Sequence, residues 1–367
     1  MHSKLSMNLI KQNNRIEYID ALRGFTMVLV VFYHLSLYSF KSDSTIVNQL
    51  FMSFRMPLFF FISGFIGYKS GIDWNGQTWW IMTRKKIVVQ LTPTIVFGCI
   101  YAYLYLHIDM STFIMDMTKY GYWFTIVLLE MFIIVYSMNT VVYNDDPSVF
   151  MKRQILILVL LSVIFFTTKY ILAANPVINK LNNIFSLYCL FRYFPYFAIG
   201  YVCAMNKEKF HNILNAQYFS FVVIILFLTA FYINSTYIYP NIATSSLRII
   251  YHLLTTVIGV LGLLMVYNTF RIYKDTFAST TRIGRLFQYI GRRTLDIYVL
   301  HWFFLPVLPQ VTHILSLSQN TLLELILGGG LSLIVISICL IVSAVLRTSP
   351  ILAQYLFGVK SRDFLQR

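Results

Sequence analysis

The stretch RGFTMVLVVFYHL, Arg23 to Leu35, is apolar enough to cross a bilayer, yet it carries a guanidinium at one end and an imidazole eleven residues later. Eleven residues make just over three helical turns, so Arg23 and His34 share one helix face, roughly 16 Å apart along the axis. Working outward, runs of this kind recur along the chain, and its composition agrees: 58% of the residues are hydrophobic, 17% aromatic and 12% charged. A soluble domain carries about 25% charged residues. The reading is an all-α, polytopic integral membrane protein.

Ten spans are expected, at 20–40, 48–68, 87–107, 122–143, 154–172, 184–204, 216–234, 249–269, 288–306 and 322–346. The first is too long for the apolar core of a signal peptide and is not followed by a small-residue cleavage site, so it should remain as a span. The loops are too short for a soluble domain, and the whole chain, 1–367, reads as one membrane domain. With the N-terminus inside, 22 of the 29 Lys and Arg fall on inner segments. Lys41, Lys119, Lys169, Lys180 and Arg248 fall outside, and Arg55 and Arg192 lie within spans. Both termini are therefore expected in the cytoplasm. The net charge of +15 is spent on short loops and lipid headgroups, which argues against nucleic acid as a partner. The four cysteines, Cys99, Cys189, Cys203 and Cys339, lie in or beside apolar runs without metal-ligand spacing, so they read as packing residues and no metal is expected.

Six ionisable residues fall between the inner and outer thirds of the membrane: His34, Arg55, Glu130, Arg192, Asp296 and His301. Each buried alone costs at least about 2.5–3.5 kcal/mol, so a shared polar cavity is the expected arrangement. Plainer roles are open to most of them. Arg55 and Glu130 could form a structural pair, Arg192 could snorkel or meet backbone freed by Pro195, and Asp296 could neutralise Arg292 or Arg293. In FRMPLFFFISGF, Phe54 to Phe65, Pro57 removes a backbone donor near Arg55, and Ser63-Gly64 admits another backbone or a thin ligand. In RRTLDIYVLHWFF, Arg292 to Phe304, the five-residue spacing keeps Asp296 and His301 off a common face.

Taken together, these runs resemble the acyltransferase type 3 family of bacterial membrane O-acyltransferases over nearly the whole chain. The matching features are the Arg-x10-His pair Arg23 and His34, the R-x-P-L-F-F-x-x-S-G run from Arg55 to Gly64, and the late Y-x-x-H from Tyr298 to His301. The lead-in YIDALRG at Tyr18 to Gly24 and the YWF at Tyr122 to Phe124 also match. The resemblance implies a multi-pass protein of the bacterial plasma membrane that transfers an acyl group from acyl-CoA to a hydroxyl of an envelope glycan or a lipid-linked sugar. Acetyl is the first expectation and a longer chain such as succinyl the second.

On that basis Arg23 would bind CoA phosphate at the inner mouth, and the pantetheine arm would span the distance to His34, the general base or, second, an acyl-carrying nucleophile. Glu130 and His301 are the further catalytic candidates. Arg55, Ser63 and Gly64 are candidates for donor binding, and Arg192 and Asp296 for the oxyanion or the acceptor, with Arg55 or Arg192 suited to hold the tetrahedral oxyanion. A transporter or flippase of envelope saccharides is the alternative, separated from the enzyme by whether acyl-CoA is consumed.

Overall fold

The computed structural model describes residues 15–41, 45–169, 176–241, 245–318 and 320–357. Among these every regular element is helical. Nine helices are long and apolar enough to cross a membrane: Glu17–Ser39, Ile46–Gly67, Gly76–Leu106, Trp123–Val142, Pro147–Thr168, Leu187–Met205, Phe219–Asn241, Leu247–Ile272 and Thr321–Leu346. A bent pair, Thr294–Phe304 with Pro309–Leu315, makes ten if it counts as one span. Of the basic residues that oriented the chain, Lys4, Lys11, Lys360, Arg362 and Arg367 lie outside the described residues.

The elements that build the site are α1 (Glu17–His34), α2 (Ile46–Gly67), α3 (Gly76–Lys86), α4 (Trp123–Val142), α5 (Leu187–Met205), α6 (Arg282–Arg292), α7 (Thr294–Leu300) and α8 (Thr321–Leu346). α1 ends where it should begin to fray, and its last turn widens into a π-helical segment, Leu35–Ser39, directly after His34. Such a segment inside an apolar helix costs regular hydrogen bonding and marks functional positions in many helices. Thr45 caps α2 through Asn48 N, and Thr45 Oγ1 and Asn48 Nδ2 both donate to Glu324 Oε1 (2.9 and 2.8 Å), tying α2 to α8.

Two crossings are close enough to require glycine. A Cβ on Gly24 would lie 2.0 Å from Phe287 O, and one on Gly291 1.8 Å from Asp20 O, so α1 and α6 touch backbone to backbone. The pair Gly64 and Gly200 does the same for α2 and α5, against Phe197 O and Phe61 O. Small residues at membrane helix contacts allow this approach, which gains dispersion that bulky side chains would forfeit.

The ninth expected span is corrected. Residue 288 does not begin it: α6 stops at Arg292, Arg293 leaves the helical region (φ −115°, ψ 18°), and α7 starts afresh at Thr294. Beyond Leu300 the chain tightens into a 3-10 turn, His301–Phe304, and after residues 305–308 it turns by 98° into Pro309–Leu315. Pro306 and Pro309 cannot donate to a continuing helix, so an apolar run that looks like a plain span breaks. The third span is also longer than expected, a continuous helical stretch from Gly76 rather than from residue 87.

Candidate active site

α1, α2, α4, α5 and α7 enclose a cavity of about 210 Å³. Its walls are apolar at Met27, Val30, Met52, Met56, Phe59 and Phe124, and polar at Tyr33, His34, Arg55, Tyr193 and Tyr298. Of the six intramembrane ionisable residues, only His34 and Arg55 line it, and His301 joins them from behind.

His34 Nδ1 lies 2.8 Å from His301 Nε2, and His301 Nδ1 lies 3.0 Å from Ile297 O. A carbonyl oxygen only accepts, so His301 Nδ1 carries the proton and, in the neutral ring, its Nε2 accepts. His34 Nδ1 must then donate, which leaves the lone pair of His34 on Nε2. The geometry assigns the tautomer of one imidazole through the backbone carbonyl held by the other, as orienting partners do for reactive histidines. Trp302 packs against both rings, with centroids 4.4 Å from His34 and 4.8 Å from His301, and keeps the pair dry on that side.

Arg55 is 7% exposed and its guanidinium lies 4.1 Å over the Tyr33 ring. Its Nε and Nη1 have no hydrogen-bond partner, and no carboxylate pairs with it among the described residues. A buried cation with open donors is costly unless an anion or a developing oxyanion meets it.

The loop before α4 closes the cavity. Tyr298 donates to Gly121 O (2.9 Å) and accepts from Phe124 N (3.1 Å), while Tyr122 donates to Val299 O (2.9 Å). Gly121 has φ +104°, and a Cβ there would fall 1.9 Å from the Trp302 ring, so neither its backbone nor its surroundings accept a side chain.

The remaining candidates stand elsewhere. Arg23 donates to Thr294 Oγ1 (2.9 Å), sits 3.7 Å from Asp20 Oδ1, and keeps 30% of its side chain exposed. It is close enough to Lys86 for the two charges to interact, as are Lys69 and Lys85, so this end of α1 is strongly basic. Lys86 itself places its ammonium 3.5 Å over the Phe132 ring. Ser63 donates to Phe59 O (2.8 Å), and the approach expected at Gly64 is taken by the backbone of α5, which leaves no room for a thin ligand there.

The shared cavity for all six residues is therefore corrected. Asp296 is held by Arg347 (2.8 Å), Ser343 Oγ (2.5 Å) and Arg293 (3.4 Å), while Arg292 turns to Asp20 (3.5 Å). Arg192 lies 5.4 Å from the Tyr193 ring centroid and is not part of the cavity lining. Glu130 Oε2 is buried with no hydrogen-bond partner among the described residues and lies outside the cavity lining, within reach of the Lys119 charge. Lys119 donates to Asp116 O (2.7 Å) and to Asn183 O, and burial pulls its amine down to about 8, against the pull of Asp116 and Glu130.

The site also takes in Tyr33, Tyr193 and Trp302, which no charge marks in the sequence, and Tyr298, which stands in the Y-x-x-H run but reads otherwise as an ordinary membrane residue. The one signal was position: Tyr33 and Trp302 each adjoin a candidate histidine.

No curated protein and no solved structure matches the chain. A family model described as an acyltransferase domain matches residues 16–341, a stretch that takes in the cavity, both histidines and the basic end at Arg23 and Lys86. The chain belongs to this acyltransferase family.

Proposed function

We propose that the protein is a membrane O-acyltransferase that moves an acyl group, acetyl in the simplest case, from acyl-CoA to a hydroxyl of an envelope glycan or its lipid-linked precursor in a bacterial plasma membrane. The observation that carries the chemistry is the chain of bonds from Ile297 O through His301 to His34, because it leaves a basic Nε2 beside a cavity that also holds an open guanidinium.

In this reading the acceptor hydroxyl gives its proton to His34 Nε2 as its oxygen attacks the thioester carbonyl. Arg55 receives the developing oxyanion through Nε and Nη1, which nothing else occupies. The C–S bond then breaks, His34 returns the proton to the CoA thiolate, and both rings are neutral again. Arg23, with Lys86 near it and Lys69 and Lys85 near Lys86, suits the phosphates of CoA, and the roughly 16 Å from Arg23 to His34 suits an extended pantetheine. With that end cytoplasmic, the donor enters from inside, and both termini face the cytoplasm if the bent pair crosses as one span.

The test is transfer of label from radiolabelled acetyl-CoA and succinyl-CoA to an envelope-glycan extract, with protein in nanodiscs and His34→Ala as comparison. Label that reaches glycan with the wild type and not with the variant supports the reading. Glycan movement without donor consumption would overturn it in favour of transport.

A further inference from the structure

A second pocket, open and of about 360 Å³, lies against the loop that closes the cavity, lined by Ser111, Thr112, Met115, Asp116 and Tyr120. It adjoins the histidine cavity through the chain itself: Tyr120 lines one pocket and Gly121 the other. Tyr38 links them in space. Its ring is half exposed, its centroid lies 6.4 Å from that of His34 and 5.5 Å from that of Trp302, and Asp116 is close enough for its charge to act on the phenol. Tyr101, its ring centroid 6.1 Å from that of Trp302, stacks on the exposed Tyr105 at 5.5 Å, with Phe303 edge-on to Tyr105. All of this lies at the end of α1 away from Arg23.

The polar groups have a definite sign. Asp116 Oδ1 accepts from Thr118 N, Thr118 Oγ1 and Tyr120 N, while Oδ2 accepts no hydrogen bond from the described residues. The Ser111 and Thr112 hydroxyls donate to Asp109 and keep acceptor lone pairs. Their bonds hold the Asp109 carboxyl well below the usual carboxylate range, so it too is charged. A pocket lined by hydroxyl acceptors, the Asp116 carboxylate and the half-buried Tyr120 ring, with Asp109 beside it, fits a sugar, whose hydroxyls donate and whose C–H faces lie on aromatic rings. It repels phosphate and does not suit an acyl tail.

We propose that this pocket is the acceptor subsite, and that it takes a neutral or amino-bearing sugar and rejects an acidic one. This rests on the acyltransferase reading above. The sugar enters at the Tyr38 end and the donor at the Arg23 end, and the two meet at His34 Nε2.

The experiment is equilibrium dialysis of three tritiated probes, chitotetraose, its fully N-deacetylated form and tetragalacturonate, against the full-length protein in nanodiscs. The comparison proteins are Asp116→Asn, which keeps the Oδ1 acceptor that shapes the loop, and Tyr120→Leu, which removes the ring from the pocket lining and keeps the backbone N–H that Asp116 accepts. The expected result is binding of at least one of the first two probes, weakened about tenfold or more in both variants, no binding of tetragalacturonate, and CoA affinity unchanged within twofold. Binding of tetragalacturonate as tight as that of the others, no binding of either neutral or amino probe, or variants that bind like wild type would overturn the subsite. Acetyl transfer with His34→Ala is run in parallel and reads the function itself: sugar binding without donor turnover would fail the function and leave a sugar site, whereas turnover with unaffected variants would fail only the subsite.

Discussion

Arg347 and Asp296 form a 2.8 Å ion pair between the end of α8 and the first turn of α7, with 3% of the aspartate side chain exposed. Arg347→Met leaves that carboxylate without its main partner, and the expected loss is about 3–5 kcal/mol. Thermal unfolding in detergent checks it, and Asp296→Leu added to Arg347→Met should recover most of the loss. A double variant no more stable than the single would mean that the pair does not hold α7.

Replacing Arg55 should separate stability from activity. Arg55→Met removes a buried cation with two open donors, so the melting temperature is expected to hold or rise while kcat falls by about 10²–10³ with KM changed little. A fall in melting temperature with kcat intact would return Arg55 to a structural role.

His301 acts through His34, and its variants should rank by hydrogen bonding rather than by size. His34→Ala is expected to lower kcat/KM by about 10²–10⁴. His301→Leu frees His34 Nδ1 and lets the tautomer change, for a loss of about 10–100-fold, while His301→Gln offers an acceptor and should retain more. Steady-state rates across pH 6–9 check this, since a positioning residue shifts the profile as well as its height.

Gly121→Ala meets both a left-handed backbone, costing about 1–3 kcal/mol, and the Trp302 ring. Activity and melting temperature are both expected to fall. Gly329→Ala, where a Cβ meets nothing within 4 Å, is the neutral comparison.

Much of this fold is legible because apolar runs of bilayer length announce themselves, and Arg23, His34 and Arg55 stand out as charges within them. The ninth span differs because its expected start at residue 288 lies inside α6 and the helix breaks at Arg293, a break that hydropathy does not register. Asp296 was drawn toward the cavity because its partner, Arg347, lies 51 residues away on another helix. Depth in the membrane groups residues by height alone. It does not tell Glu130 and Arg192, which stand outside the cavity lining, from His301, which bonds His34.

The two histidines are 267 residues apart in the chain. At a synthesis rate of about 5–20 residues per second, the first waits roughly 13–53 s at the ribosome before the second exists. A nascent chain therefore holds an unoriented His34, without its partner, through most of its own synthesis. The acid–base pair comes into being only after all but the last of the nine long helices has been made, so the completed bundle is its own activation step, and a truncated product has no means of consuming thioester through this pair.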